Sequence, residues 1–386
     1  MPWAPGDTLG PVTVGPPAHG GHCVARVDGR IVFVRHALPG EVVEIRITED
    51  THASYARGDA VTILEAATGR VVPPCPVAGP GGCGGCDLQH ADLPTQRELK
   101  RQVVAEQLHR LARYEWSGVV EPVPDATTDG LGYRTRMRYQ VTSDGRPGLR
   151  GHRSHDVVAL PDEGCLLAHP DQPVLTGLYE AGSEVVVAGR GESSAVMVGD
   201  SLVAGLKTLV EQAAGRSWRV AADGFWQVHE AAPDTLVDAV MDGLLPRRGE
   251  SAWDLYCGVG LFAGPLVDAG LSVRGVESSG RAVRDAARNV PQADFTAGRV
   301  EQVIRRWPSR VDLVVCDPPR TGLGKAVVDQ VVRRQPRRVA YVACDPAALA
   351  RDVGTFQAAG YRVESLRAFD IFPMTQHVEC VAVLGR

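Results

Sequence analysis

Ala252-Trp253-Asp254-Leu255-Tyr256-Cys257-Gly258-Val259-Gly260 decides the fold. A short apolar strand, Ala252 to Tyr256, runs into a glycine turn. Glycines there let a ligand approach the backbone at a helix N-terminus. The pattern then repeats. Strand-like runs follow at Ser272 to Glu277, Asp294 to Ala297, Val311 to Cys316, Arg338 to Ala343, Val363 to Ala368 and Glu379 to Leu384. Helical runs lie between the first six. Five or six such β–α units predict an α/β domain over about residues 216–386, with a mostly parallel, doubly wound sheet.

The strand ends carry the chemistry. The second strand ends in Glu277, nineteen residues past Gly258, where a carboxylate can take both hydroxyls of a ribose. Alone, this fits a nicotinamide dinucleotide as well as S-adenosylmethionine. The fourth strand ends in Asp317-Pro318-Pro319-Arg320, a stiff loop under the ligand. It is far more typical of nucleotide- or amine-modifying methyltransferases than of dehydrogenases. The fifth ends in Tyr341-Val342-Ala343-Cys344-Asp345-Pro346. Asp-Pro stops that strand, and Ala347 to Phe356 reads as a helix. Cys344 therefore sits at a strand-to-helix turn, where α/β enzymes place reactive groups. The bland alternative is an inert core cysteine, because reactivity depends on surroundings that sequence does not show.

The 386 residues allow two or three domains, and 44% apolar with 23% charged residues is ordinary for a soluble globular protein. No apolar run approaches the roughly 18 residues of a membrane span. The opening MPWAPGDTLG lacks a secretion pattern, so the cytoplasm is the expected compartment. Nine cysteines then argue for metal binding or catalysis rather than disulfides. At a net charge of −5, any polyanion must be held by a local patch. No obligate protein partner is evident, and a monomer is expected.

Residues 1–67 alternate short β-rich runs with turns: Val12 to Val14, His22 to Val27, Arg30 to Arg35, Glu41 to Thr48 and Ala60 to Leu64. Asp28-Gly29 is a two-residue hairpin signal. Five such strands predict a small OB-like β-barrel. The residues Gly20-Gly21, Arg26-Val27-Asp28-Gly29, Val32-Phe33-Val34 and Leu38-Pro39-Gly40-Glu41 resemble the TRAM domain of RNA-modifying enzymes, which implies RNA contact. Charge gives no separate support, with five arginines against eight acids.

Residues 68–215 are expected to form a β-rich middle domain. Cys75, Cys83 and Cys86 fall within twelve residues among glycines that let backbone N–H groups turn toward sulfur. Cys165 is the only other cysteine of this stretch. Four thiolates can hold zinc or an iron–sulfur cluster, and spacing does not separate the two. Between these ligands, Tyr133 to Val141 reads as a strand with Arg134, Arg136 and Arg138 on one face. A single-sign row suits an RNA phosphate backbone, and a solvated face is the alternative. Residues 88–114 read as a packing helix without chemistry.

Taken together, Asp254 to Gly260, Asp317 to Arg320, Tyr341 to Asp352, His377-Val378-Glu379 and Phe225-Trp226-Gln227-Val228-His229 closely resemble the RNA uracil-5-methyltransferase family. The likeness covers almost the whole chain. It implies a TRAM barrel, a cluster-bearing middle domain and a class I methyltransferase domain. It implies a 4Fe–4S cluster on Cys75, Cys83, Cys86 and Cys165. By motif, Cys344 matches the nucleophile and Glu379 the proton-abstracting base. Gln227, Tyr256, Gly258, Glu277 and Asp317 match the S-adenosylmethionine site. Three features depart from the pattern. Asp345 and His229 stand where Asn is usual, and seven residues rather than five separate Cys75 from Cys83.

The expected chemistry needs these two groups. Carbon 5 of uracil is a poor nucleophile until a thiolate adds to carbon 6. A base must then remove the carbon 5 proton so that the thiolate leaves. The base must also leave its stack to reach Cys344. Arg320 is expected at a phosphate or at the uracil oxygen where charge develops. Cys23, Cys257, Cys316 and Cys380 read as core. The TRAM-plus-cluster build resembles members acting on large-subunit ribosomal RNA, and similar relatives act on transfer RNA. Two other classes compete: a nicotinamide-dependent oxidoreductase, and an iron–sulfur RNA-binding protein with a vestigial enzyme fold. The late Cys344/Glu379 pair speaks against both.

Overall fold

The computed structural model describes residues 3–124 and 129–386. Strands β1 (Thr8–Ala18), β2 (His22–Val27), β3 (Arg30–Arg35), β4 (Val42–Glu49) and β5 (Tyr55–Glu65) close into a barrel, in the order β1-β2-β3-β5-β4. Asp28 and Gly29 both take positive φ (49° and 80°), the geometry that a two-residue hairpin turn demands. Val32 and Val34 point inward with Cys23, Ala25, Ile45 and Ile47 to form the barrel core. Strands β1 and β5 run longer than their apolar stretches foretell. The prolines of β1 sit at its two register shifts, where no ladder N–H is needed.

Helix α1 (Leu93–Ala112) follows the cysteine loop. Asp92 caps it, accepting from Thr95 N at 2.8 Å, and Arg113 ends it in the left-handed region. Its Val104, Leu108 and Ala112, with Trp116 and Val120 beyond, belong to the core of the C-terminal sheet. Strand β6 (Val120–Pro122) pairs with that sheet's edge. The C-terminal layer thus draws on residues that sequence patterning assigns to the middle domain.

The middle sheet has the order β12-β11-β10-β7-β8-β9. It comprises β7 (Arg136–Val141), β8 (Pro147–Arg150), β9 (Val157–Ala159), β10 (Glu184–Arg190), β11 (Ser193–Val198) and β12 (Ser201–Gly205). Met137, Tyr139 and Val141 are buried against Val185 and Val187, so the β7 face pattern matches the alternation in sequence. A hairpin, β13 (Thr208–Ala213) and β14 (Arg216–Ala221), places Trp218 in the next core.

The C-terminal domain opens with α2 (Ala232–Leu244). It continues β15 (Ser251–Leu255), α3 (Ala263–Asp268), β16 (Ser272–Glu277), α4 (Gly280–Asn289), β17 (Asp294–Ala297), α5 (Val300–Val303) and β18 (Leu313–Cys316). It ends with α6 (Lys325–Arg333), β19 (Arg338–Ala343), α7 (Pro346–Ala358), β20 (Arg362–Asp370) and β21 (Glu379–Gly385). The sheet order is β17-β16-β15-β18-β19-β21-β20-β6, with β21 antiparallel to both neighbours. All four residues of β18 are buried, as a central strand covered on both faces requires. The order reverses between β15 and β18. The loops after β15 and β18 therefore open a crevice at the sheet's C-terminal edge. No described helix is long and apolar enough to cross a membrane.

Candidate active site

Four strand ends meet along that edge. Tyr256 leaves β15 with φ 62°, and Gly258 and Gly260 follow at 52° and 96°. A Cβ built on Gly258 meets nothing within 4 Å, so the turn faces open space. Asp254 anchors the turn from below: its Oδ2 accepts from Ala263 N at 3.0 Å. Glu277 ends β16, its Oε1 accepting from Ser279 N and Ser278 Oγ at 2.8 Å each. Asp317 ends β18, its N–H donating to Leu255 O at 3.2 Å.

Burial, then the charges of Asp317 and Glu277, push the Asp254 carboxyl up to about 8. Burial also raises Asp317. Burial and the Asp317 charge raise Glu379 well above the carboxylate range. Burial, then Glu379 and Asp317, push the Cys344 thiol up to about 12, and the Arg320 cation pulls the other way. Glu277, Asp254, Asp317, Glu379 and Cys344 therefore form one acidic edge in which each group feels the next. The expected donor-site residues and the expected nucleophile–base pair stand on this edge. Gln227 is buried between β14 and α2, on a segment whose Val228 O accepts from Thr135 N at 2.7 Å. Of its aromatic neighbours, Trp226 is buried against Trp218, and Phe225 is exposed.

Cys344 is half-buried and opens into a cavity of about 240 Å³. Arg320, Gln376 and His377 line it from the C-terminal domain, and His19 to His22 line it from the barrel. Arg320 Nη2 donates to His377 Nε2 at 3.2 Å. Burial and the Arg320 charge lower His377 to about 4, so its imidazole is neutral and accepts. Asp352 anchors the loop that follows Arg320. It accepts from Tyr341 Oη at 2.8 Å and from Leu323 N at 2.7 Å, tying the Asp317–Gly324 loop to α7. Two groups here escaped sequence reading. His377 was visible only as a letter of the His-Val-Glu motif, and His19 carried no signal at all.

The loop bearing His377 and Glu379 is held from outside its own domain. Buried Lys100 of α1 donates to Asp370 Oδ1 at 2.6 Å and to Phe372 O at 2.9 Å. Met374 N donates to Gln96 Oε1 at 2.8 Å. Met374 O accepts from Asp87 N and Leu88 N at 2.9 and 3.0 Å. Tyr133 Oη donates to Pro373 O at 3.1 Å. Helix α1, read as a packing element, thus positions the loop that leads to His377 and Glu379.

Cys75, Cys83, Cys86 and Cys165 line a second cavity, of about 420 Å³. Among the described residues, no three His, Cys, Asp or Glu side chains converge on a point where one ion would bind. Gly85 N donates to Cys83 Sγ at 3.3 Å, and Gln89 Nε2 to Cys86 Sγ at 3.1 Å. Burial pushes the Cys86 thiol up to about 12 and raises Cys83 and Cys165. The long Cys75–Cys83 spacing is taken up by two turns, Ala78 N to Cys75 O and Gly82 N to Gly79 O. Only a glycine fits at 82, where a Cβ would lie 2.2 Å from Val77 O.

The three expected RNA-facing arginines of the Tyr133–Val141 stretch share one face and line this same cavity. Arg136 donates to Ala222 O and Gly224 O and pairs with Glu211 at 3.4 Å, bracing the fold. Arg138 is exposed and pairs with Glu184. Arg134 Nε is buried with no hydrogen-bond partner among the described residues. His229 stacks on Tyr133, with centroids 5.2 Å apart. Cys23, Cys257, Cys316 and Cys380 are buried.

Comparison with known proteins agrees with this geometry. Residues 5–61 match the TRAM domain model, and residues 299–386 match the model described as tRNA (Uracil-5-)-methyltransferase. An uncharacterized RNA methyltransferase of Streptomyces avermitilis is 48% identical, with 97% of each chain covered. One from Bifidobacterium longum is 37% identical over 95% of this chain and 94% of its own. Among solved structures, the Pyrococcus abyssi tRNA (uracil-54, C5)-methyltransferase in complex with S-adenosyl-L-homocysteine shares the fold. Its TM-score is 0.71 at 24% identity, over 97% of this chain and 99% of its own.

Proposed function

Because this chain belongs to the TRAM-bearing RNA (uracil-5-)-methyltransferase family and is an S-adenosylmethionine-dependent enzyme, we propose that it methylates carbon 5 of one uridine in large-subunit ribosomal RNA through a covalent Cys344 adduct. The observation that supports the mechanism is the placement of Cys344 just past β19 and Glu379 at the start of β21, strands that pair Ala343 with Cys380, on the same sheet edge as Glu277 and Asp317. Tyr256, Gly258, Glu277 and Asp317 hold the donor along that edge, and Gln227 lies on the adjoining segment. When bound there, S-adenosylmethionine supplies an electrophilic methyl on a sulfonium cation, whose charge suits the acidic edge.

Cys344 gives up its thiol proton to solvent, the thiolate sulfur adds to carbon 6 of a flipped uracil, and the carbon 5–carbon 6 electron pair shifts to carbon 5 and oxygen 4. Arg320, steadied by His377, faces that developing charge. Carbon 5 takes the methyl. Glu379 acts in its ionised form: the carboxylate takes the carbon 5 proton, the pair left behind restores the double bond, and the sulfur–carbon 6 bond breaks to release the thiolate. A second reading, a uridine of transfer RNA, draws on the description of the matching family model. Mapping 5-methyluridine in total RNA of a deletion strain tests both. Loss from ribosomal RNA is expected, loss from transfer RNA alone selects the second reading, and loss from neither contradicts both.

Cys75, Cys83, Cys86 and Cys165 are proposed to hold a 4Fe–4S cluster. The reading is supported by four thiols that line one cavity together with Arg134, whose buried Nε has no hydrogen-bond partner among the described residues. A tetrahedral zinc site would gather its sulfurs to about 3.8 Å from one another, given Zn–S bonds near 2.3 Å. The cavity that the four thiols line, about 420 Å³, has room for a larger group. An iron and sulfide assay on anaerobically purified protein should find both, and Cys165→Ser should lose them. Zinc without sulfide would contradict the cluster.

A further inference from the structure

The outer face of the barrel carries a row of rings that the catalytic reading leaves unused. Along β2, β3 and β5, Cys23, Ala25, Val32, Val34 and Ala56 point into the core. The alternate positions point outward. There His22, Phe33 and Tyr55 stand side by side, half-buried, and exposed His52 follows. Ring centroids are 5.1 Å apart from His22 to Phe33, 5.3 Å from Phe33 to Tyr55 and 4.2 Å from Tyr55 to His52. The last two rings are stacked, at 20°. The Arg57 guanidinium lies over the Tyr55 ring at 4.8 Å.

A second cation arrives from another domain. Arg153, in the loop between β8 and β9, reaches Glu49 at 3.5 Å, and Arg57 reaches the same carboxylate at 3.0 Å. His52 approaches it too, at 3.4 Å. Two guanidiniums thus share one acid, leaving the ring row beside net positive charge. Burial, then Arg57 and Arg153, lower His22 to about 4, so its ring is a neutral stacking surface. The row is continuous with the catalytic cavity, because His22 lines that cavity together with Cys344.

We propose that this row is a stacking platform for unpaired nucleotides flanking the target uridine, with Arg57 and Arg153 at their phosphates. The proposal rests on the RNA-methyltransferase reading and adds where the strand runs. A uridine drawn out of its stack pulls its neighbours out of helical geometry. Those bases lose their own stacking and need a replacement surface. Aromatic side chains supply one without regard to sequence, since every base has a π-face. His22 and Phe33 meet at 60° and Phe33 and Tyr55 at 73°, so the faces offered to about two or three bases are those of His22, of Phe33 and of His52 backed by Tyr55. A duplex hides its base faces, so the platform selects single strands.

The test is anisotropy titration of the full-length protein with a labelled single-stranded, uridine-containing oligoribonucleotide, and with the same sequence closed into a perfect hairpin. Phe33→Leu and Tyr55→Leu keep apolar bulk on the barrel and remove the rings. Each should weaken single-strand binding about five- to hundredfold and leave hairpin binding unchanged. Tyr55→Phe should retain wild-type affinity. Arg153→Gln should lower the salt dependence by about one phosphate contact. His52→Ala, at an exposed position, gives a ring deletion that cannot unfold the barrel. Wild-type single-strand affinity in all three ring variants overturns the platform, and so does equal weakening toward the hairpin. Failure of the catalytic reading looks different: the wild-type protein binds RNA and transfers no methyl.

Discussion

His19, in the turn between β1 and β2, donates from Nε2 to Asp345 Oδ2 at 3.0 Å, joining residues 326 positions apart. The other oxygen of Asp345 accepts from Ala348 N at 2.7 Å and caps α7. One carboxylate beside Cys344 therefore holds both the catalytic helix and the lip of the barrel. Burial works against this charge, but the hydrogen bond from His19 keeps the Asp345 carboxyl below its ordinary value.

His19→Ala should affect binding more than stability. Its side chain is 38% exposed, so the pair contributes under about 1 kcal/mol. The melting temperature should hardly move, while KM for RNA rises up to about fivefold at nearly constant kcat. Asp345→Asn keeps one acceptor oxygen for the Ala348 N–H and loses the acceptor for His19, so it should do less than Asp345→Ala, which also loses a cap of about 1 kcal/mol. Steady-state kinetics with thermal unfolding of the three variants checks this order.

The Cys344 thiol stands near 12, so it is protonated at neutral pH and its thiolate fraction grows as pH rises. Alkylation of Cys344 should accelerate by about tenfold per pH unit between pH 6 and 9, without a plateau. Two of the charges that raise it belong to Glu379 and Asp317. A donor analogue carrying an ammonium in place of the sulfonium offsets those charges, and should speed alkylation relative to neutral S-adenosylhomocysteine. Peptide mass mapping of the modified cysteine at each pH measures both effects.

Much of this site was legible before the fold was known. Strands β16, β17 and β19 fall where the sequence places them; β19, buried from its second residue on, carries the apolar signature of a central strand, whereas β17 is an exposed edge strand. Cys344, Glu379, Glu277 and Asp317 were readable because each ends or opens such a strand. What escaped lies between domains. The His19–Asp345 contact and the Lys100–Asp370 pair join distant segments, and no local periodicity encodes them. Strand β6 has only three residues, too few to show alternation. Of the three arginines expected on one strand face, Arg136 and Arg138 lie in β7 and Arg134 precedes it, and sequence could not show Glu211 opposite Arg136.

Asp370→Ala should be severe. It leaves the Lys100 ammonium buried and unpaired, a loss of about 3–5 kcal/mol. Lys100 also holds Phe372 O, so the loop leading to His377 and Glu379 should loosen. Hydrogen exchange should rise first in residues 371–378. Restoring packing with Lys100→Met on top of Asp370→Ala should recover stability more fully than activity.

Asp254 carries a pH signature for the whole fold. Its folded carboxyl is raised to about 8, above the unfolded value of 3.8. The folded state therefore binds the extra proton between these values, and stability falls as pH rises through that window. The contribution is fully present below about pH 4 and lost above about pH 8. Asp254→Asn should flatten the decline and raise stability at pH 8 by a few kcal/mol, since an amide oxygen still accepts from Ala263 N. Denaturant unfolding at pH 5 and pH 8 gives the comparison.

The central claim is the bond between Cys344 and carbon 6 of uracil, and Glu379→Gln tests it most directly. Without a base to remove the carbon 5 proton, the methylated adduct cannot eliminate. Incubated with S-adenosylmethionine and substrate RNA, this variant should give a denaturation-resistant protein–RNA band. Mass mapping should place the RNA on Cys344, and Cys344→Ser in the same background should abolish the band. Free turnover by Glu379→Gln with no adduct, or an adduct on any other cysteine, would contradict the account.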